Sequence, residues 1–251
     1  MPEDFIRRFL GSQELVQGQE RRCVWVTAAE APEAEQNGWL AARFHQVRKA
    51  REESARGTTK ELAAVPWRFG EVRQSGDEVV VAVPGISSEN RDYLPCDLLG
   101  PGTIVSNKLY ALYNAPLWTM ALIASRLHWV WIGTVCVRMR TDFSYSNTLG
   151  WNTFPVPKLT TQNKTDLIRT AENILLAREA HFPATIADLY DPERMPESLR
   201  LAHDENDEVL ERIYIGRRFR NDTERLEKLF ELYTKMTASA GPPTKRKVGT
   251  A

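Results

Sequence analysis

Apolar residues recur along this chain with two periods, and the change falls near residue 158. Before it lie short runs rich in Val and aromatic residues, separated by Gly and Pro. RRCVWVT (21–27) reads as a strand. DEVVVAVPG (77–85) reads as a fully apolar strand stopped by Pro84-Gly85, and TIVSNKLYALYN (103–114) as a strand or a strand pair. GTVCVRMRTDF (133–143) alternates as a strand would. Val135, Val137 and Met139 fall on one face, and Cys136, Arg138 and Arg140 on the other. Two helices interrupt these runs. One covers 39–56, with Leu40, Phe44 and Val47 as a narrow buried stripe, and the other covers 117–130 and runs into the strand after it.

Beyond residue 158 the period is helical. Leu167, Ile168, Ala171, Ile174, Leu175 and Arg178 place a helix over 164–179. Residues 185–199 form a connection with short helical turns, and two amphipathic helices follow over 204–214 and 222–236. Asp222-Thr223 with Glu224 supplies the N-cap of the last. The end, from 237 to 251, has no pattern and is expected to be disordered. The pattern thus gives an α+β fold: a mixed or antiparallel sheet with flanking helices over 1–157, then a helical subdomain over 158–236.

Composition adds little to this. Of 251 residues, 42% are hydrophobic, and Lys+Arg and Asp+Glu both number 33. A zero net charge neither supports nor excludes nucleic acid, because a footprint is a local patch. Cys23, Cys96 and Cys136 are scattered without metal-ligand spacing, which suits reduced thiols and a cytoplasmic location. APLWTMALIASRLHWVWIGTVCV (115–137) is apolar enough to suggest a membrane. Arg126 and His128 near its middle would cost a few kcal/mol in lipid, so a soluble protein is expected.

Catalytic motifs are missing. No Gly-x-Gly follows an apolar strand, and GPG at 100–102 looks like a turn. GWNTFPVP (150–157) has nearly the residues of a base-gripping methylation loop. That loop needs Asn or Asp directly before Pro-Pro and then an aromatic, whereas here both prolines follow Phe154. NAPLW (114–118) lacks the second proline. No Glu stands two residues before a Lys, as a metal nuclease requires, and the four histidines lie far apart. Ser87-Ser88 has no nucleophile elbow around it.

Charge is locally informative. Segment 39–56 carries Arg43, Arg48, Lys49, Arg51 and Arg56 against Glu52 and Glu53, a sum of +5−2 = +3. Its basic residues mostly avoid the apolar stripe. One reading is a solvated face; the other is a phosphate clamp with Ser54, Thr58 and Thr59 adding hydrogen bonds. SSENR (87–91) and RMRTDFSYS (138–146) offer further arginines with hydroxyls.

The ordered series RRCVWV, VRKAREESARGTTKELAAVPWRF, VAVPGISSENRDYLP, ASRLHWVWI and RMRTDFSYSNTLGWNTFPVP resembles the target-recognition domain of MmeI-like (type IIL) restriction–modification enzymes. AENILLAREAHFPATIADLYDPERMPESLRLAHDENDEVL resembles their helical C-terminal region. In that family a nuclease and an N6-adenine methyltransferase, which uses S-adenosylmethionine, precede this region. The resemblance implies a non-catalytic specificity part that holds no cofactor, a fragment or a separately encoded piece. Its partners would be double-stranded DNA and the methyltransferase domain. GWNTFPVP is then similar to the family's Tyr-Asn-x-Phe-Pro-x-Pro exit from the recognition sheet. The resemblance places base readout at Arg140 and Asp142, with Ser144 beside them. Val137 departs from it, standing where the family's motif has Gly. Arg can donate to guanine, and Asp can accept from cytosine. The structural alternative is an Arg140–Asp142 ion pair on a strand face. Backbone contacts are expected from Arg43, Arg48, Lys49, Arg51, Ser54, Thr58, Arg91 and Arg138. The other open reading is an interaction module that docks on a methyltransferase and meets DNA only in that assembly.

Overall fold

The apolar runs of the first part are taken up by three small sheets rather than one. The computed structural model describes residues 3–239. β1 (Ile6–Leu10) leads through α1 (Ser12–Gln17) into β2 (Arg22–Val24), which pairs with it antiparallel. α2 (Ala31–Gln36), α3 (Gly38–Glu52) and α4 (Gly57–Glu61) follow. α3 starts where Asn37 caps it, its side chain accepting from the backbone N–H of Trp39 and Leu40 at 3.1 and 3.3 Å. The helix stops at Glu52, not at Arg56, which instead caps α4. Leu40 and Phe44 are buried as the stripe required, whereas Val47 is exposed.

β3 (Val80–Pro84) is buried throughout and shows why its sequence is a continuous apolar run. Val80 and Ala82 join one core cluster, while Val81 and Val83 join another, so both faces of the strand are covered. Pro84-Gly85 does not end the extended chain. At Gly85 it changes sheets and continues as β4 (Ile86–Ser87). A Cβ on Gly85 would sit 3.0 Å from the Lys108 carbonyl oxygen, so this crossing needs glycine. β5 (Asp97–Leu99), β6 (Thr103–Val105) and β7 (Leu109–Tyr113) complete the first two sheets, ordered β2-β1-β6 and β5-β3-β7. The β1–β6 pairing is parallel and the rest antiparallel.

The expected single helix over 117–130 is two, α5 (Trp118–Ile123) and α6 (Arg126–Val135). Ser125 interrupts them and caps α6, its Oγ accepting from His128 N–H at 3.2 Å. α6 therefore runs through residues assigned to the alternating strand. What remains of that strand is a tight hairpin, β8 (Arg138–Met139) and β9 (Asp142–Ser144), joined to β4 in the order β4-β9-β8.

Beyond residue 158 come α7 (Thr161–Glu179), α8 (Ile186–Leu189), α9 (Glu197–Ile215) and α10 (Asp222–Ser239). The cap of α10 is Asn221, whose Oδ1 accepts from Glu224 N–H at 2.9 Å. Asp222, expected in that role, instead pairs with Arg126 and Arg225. Helix occupies 237–239 of the expected tail, and 240–251 lie outside the described residues.

α9 closes the break between α5 and α6. Asn206 donates to the Ala121 carbonyl at 2.9 Å, His203 Nδ1 to the Ala124 carbonyl at 3.1 Å, and Asp207 accepts from Arg126 N–H at 2.7 Å. Backbone groups orphaned by a buried helix break would each cost about 1–3 kcal/mol unpaired, so three polar side chains on one helix face are buried to meet them. The main core runs without interruption from β3 and α6 into α7, α9 and α10.

Candidate nucleic-acid interface

The β4-β9-β8 sheet gathers two of the three segments singled out by charge. Register fixes its faces: Ile86 lies opposite Ser144, Ser87 opposite Phe143, Arg138 opposite Phe143, and Met139 opposite Asp142. Side chains alternate, so Ser87, Phe143 and Arg138 share the inner face. Phe143 is buried edge-on against Trp129, and Gly133 of α6 leaves room for its ring. Arg138 lies over Phe143 with 4.8 Å to the ring centroid and pairs with Glu89. Arg91 donates to Ser87 Oγ at 3.2 Å. Burial lowers the pKa of this guanidinium, while the charges of Asp142 and Asp191 raise it, so Arg91 partly offsets Asp142.

The outer face reverses the expected alternation. Val137 and Met139, on the apolar face of the expected strand, are 68% and 56% exposed, and Cys136, on the face with the arginines, is buried. Asp142, Ser144 and Ile86 share this outer face. Arg140 is not on a strand at all. It occupies the two-residue turn of the hairpin with φ 60°, in the left-handed region that a side chain rarely adopts. Among the described residues its side chain makes no hydrogen bond or ion pair, so the Arg140–Asp142 pair is absent. Residues 137–141 are all exposed, which makes the turn a projecting ribbon.

α3 stands on a different cluster, formed by Phe5, Val26, Ala31, Ala34, Leu40 and Phe44. Arg43 is exposed, with its guanidinium 5.2 Å from the Trp39 ring centroid. Lys49 faces Glu53 at 4.0 Å, and Arg48 is half-buried. Arg51 is a departure. Its guanidinium donates to the carbonyls of Leu62, Val65 and Arg68 at 2.8, 2.9 and 2.7 Å, which fastens α3 to the chain after α4. That role is architectural rather than outward-facing. Ser54 turns back locally, its Oγ accepting from Arg56 N–H at 3.2 Å, while Thr58 is exposed on α4.

GWNTFPVP carries a buried Phe154 that packs edge-on against His128, and Pro155 O accepts from the Tyr214 hydroxyl at 2.8 Å. It leads from the first part to the helices and is tied to both. Trp151 and Asn152 also line a cleft of about 700 Å³ with Phe9, Trp25, Tyr110 and Tyr145.

Residues 1–158 match the family described as MmeI, target recognition domain, and residues 159–240 match MmeI, C-terminal domain. The chain belongs to the MmeI family. It is 37% identical over 233 residues to a protein described as DNA methyltransferase A of Bacillus subtilis (strain 168), covering 93% of this chain and 26% of that one. It also resembles a solved structure of the type IIL restriction–modification enzyme MmeI in complex with DNA. The TM-score is 0.86 and the identity 30%, over 94% of this chain and 31% of that one. The chain therefore spans between a quarter and a third of the relatives it matches. Within the MmeI family frame, it comprises the target-recognition and C-terminal regions together, and the fold is the family's.

Sequence reasoning missed Val137 and Met139 on the outer sheet face and the Glu89–Arg138 pair. A strand of two residues is too short for alternation to be read from it. Arg140-Thr141 has none of the Gly or Asn that announces a two-residue turn.

Proposed function

We propose that this chain recognises a specific double-stranded DNA sequence on behalf of an N6-adenine methyltransferase or restriction–modification enzyme. It carries no catalysis of its own, and S-adenosylmethionine belongs to the methyltransferase part. The family match over residues 1–240 carries this reading, and the geometry of the projecting ribbon supports it. Arg140 at the tip, with Asp142 and Ser144 on the outer sheet face, reads base edges. A two-stranded ribbon fits the major groove, where each base pair presents a distinct pattern. Arg43, Arg48 and Lys49 of α3, with Thr58, contact phosphates. Arg91 and Arg138 hold the ribbon from beneath.

The deciding experiment is titration of the full chain into a labelled random duplex at about 50 and 200 mM salt, followed by anisotropy. Affinity should fall steeply with salt as counterions are released from several phosphates. Affinity unchanged between the two salts would overturn the phosphate contacts.

A second reading rests on a separate surface. Leu176 of α7 and Leu201 of α9 are exposed, and Phe182 after α7 is 86% exposed. Leu176 and Leu201 face each other across this antiparallel helix pair, as the Thr170–Asn206 and His181–Ser198 hydrogen bonds set its register. Such an apolar patch suits a chain that docks on a methyltransferase and meets DNA only in that assembly. Binding to no duplex at either salt would favour it.

A further inference from the structure

The outer face of the β4-β9-β8 sheet holds more than its charged residues. Ile86 is 45% exposed, and with Met139 it makes two exposed apolar side chains among only seven strand residues, with exposed Val137 directly before β8. Scattered apolar residues on a surface are ordinary. These are not scattered, because the register puts Ile86 and Met139 on one face, interleaved with Asp142 and Ser144, and Val137, whose carbonyl accepts from Ser144 N–H at 2.9 Å, lies directly before the ribbon. The opposite face has its own buried aromatic, Phe143, so the fold does not need the outer ones for packing. Met139 lies directly across from Asp142 and directly before Arg140, so an apolar group is set between an acceptor and a cation.

Base edges in the major groove carry three kinds of group: hydrogen-bond donors, acceptors and the thymine C5-methyl. Arg140 is a donor and Asp142 an acceptor. The remaining partner for an exposed apolar side chain on the same ribbon is the methyl group. We propose that Met139, supported by Val137, is a specificity residue that reads the C5-methyl of a thymine next to the base pair contacted by Arg140. The inference rests on the reading of the ribbon as the base-contacting element. Glu89–Arg138 and Arg138 over Phe143 hold the inner face, so the outer side chains are presented on a fixed support rather than on a loose loop.

The test removes one methyl group from the DNA. A target is first selected from a random duplex pool with the full chain. Each thymine of that target is then replaced singly by deoxyuridine, which lacks only the methyl, and affinity is measured for the chain and for Met139→Ala. One deoxyuridine should weaken the unaltered chain by about fourfold, the value of one buried methyl group. The same replacement should leave Met139→Ala unaffected, giving a coupling between side chain and methyl. Met139 is exposed, so the variant should fold, and an unchanged unfolding temperature checks this. A selected target with no deoxyuridine effect, or one that persists in Met139→Ala, overturns the methyl contact and leaves DNA recognition standing. A target without thymine has the same meaning. Binding without sequence preference overturns base readout as a whole, and the methyl contact with it.

Discussion

Arg140 holds a backbone conformation that costs an L side chain roughly 1–2 kcal/mol relative to glycine. Strain kept at a projecting turn is the kind that a functional side chain imposes. Two substitutions separate the side chain from the strain. Arg140→Gly should relieve it and raise the unfolding temperature by about 2–8 °C, while Arg140→Ala keeps the strain and gains nothing. Both should relax specificity at one base pair with general duplex affinity largely retained. Uniform loss across all sequences would refute the base contact. Arg48 offers the contrast, since no partner engages its side chain among the described residues. Arg48→Ala should weaken every duplex alike and lower the salt slope by about one, as read from titrations at several salt concentrations.

At the scale of elements, helix period was readable and polar burial was not. α3, α7 and α10 lie where apolar spacing put them, because an amphipathic stripe needs only one buried face. α9 begins seven residues earlier than expected, and Asn206, Asp207 and Glu211 on it are buried although their types suggest solvent. The reason is tertiary: they answer a helix break and two arginines elsewhere in the chain. Glu211 accepts from Arg225 and from Phe219 N–H. Arg178 is similar, donating to Tyr190 Oη, to the Cys96 carbonyl at 2.8 Å and to Asp97 at 3.3 Å. Arg178→Ala would strand these partners in the core. A loss of about 3–5 kcal/mol is expected in urea unfolding.

Two elements also set an acid response. His128 of α6 and His203 of α9 are fully buried, and burial holds each imidazole down to about 3. A lowered folded value means that the unfolded chain binds more protons below pH 6.5. The stability they contribute is therefore lost as pH falls from about 6.5 toward 3. Burial pushes Asp207 the other way, up to about 7, against the hydrogen bonds from Arg126 N–H and Tyr93. Its contribution is lost as pH rises from about 4 to 7, and opposes the histidines. Two histidines against one aspartate leave a net decline on acidification. His128→Gln should make the slope of unfolding free energy against pH shallower, by up to about 1.4 kcal/mol per pH unit.

For the whole molecule, the change of apolar period near residue 158 located a change of element type but not a break in packing. Leu167, Ile174, Leu199 and Leu210 from beyond it are fully buried in the same cluster as Val83, Leu122 and Trp131 from before it. Polar ties run the same way, through Arg126–Asp222 at 2.6 Å and Tyr214 to Pro155. The chain should unfold in a single calorimetric transition, with calorimetric and van't Hoff enthalpies equal. Two separated transitions would mean that the helical region is an independent unit.

That continuous core sets what can be exchanged between relatives. A recombinant joined at residue 158 would set two unmatched halves of one interior against each other, with Asn206, His203 and Asp207 facing a foreign helix break. The ribbon from 137 to 144 makes a far smaller demand on its host: a pocket for Phe143, space at Gly133 and a carboxylate at Glu89. On the proposed reading of the ribbon, new sequence preferences are better transplanted as an eight-residue graft than as a domain.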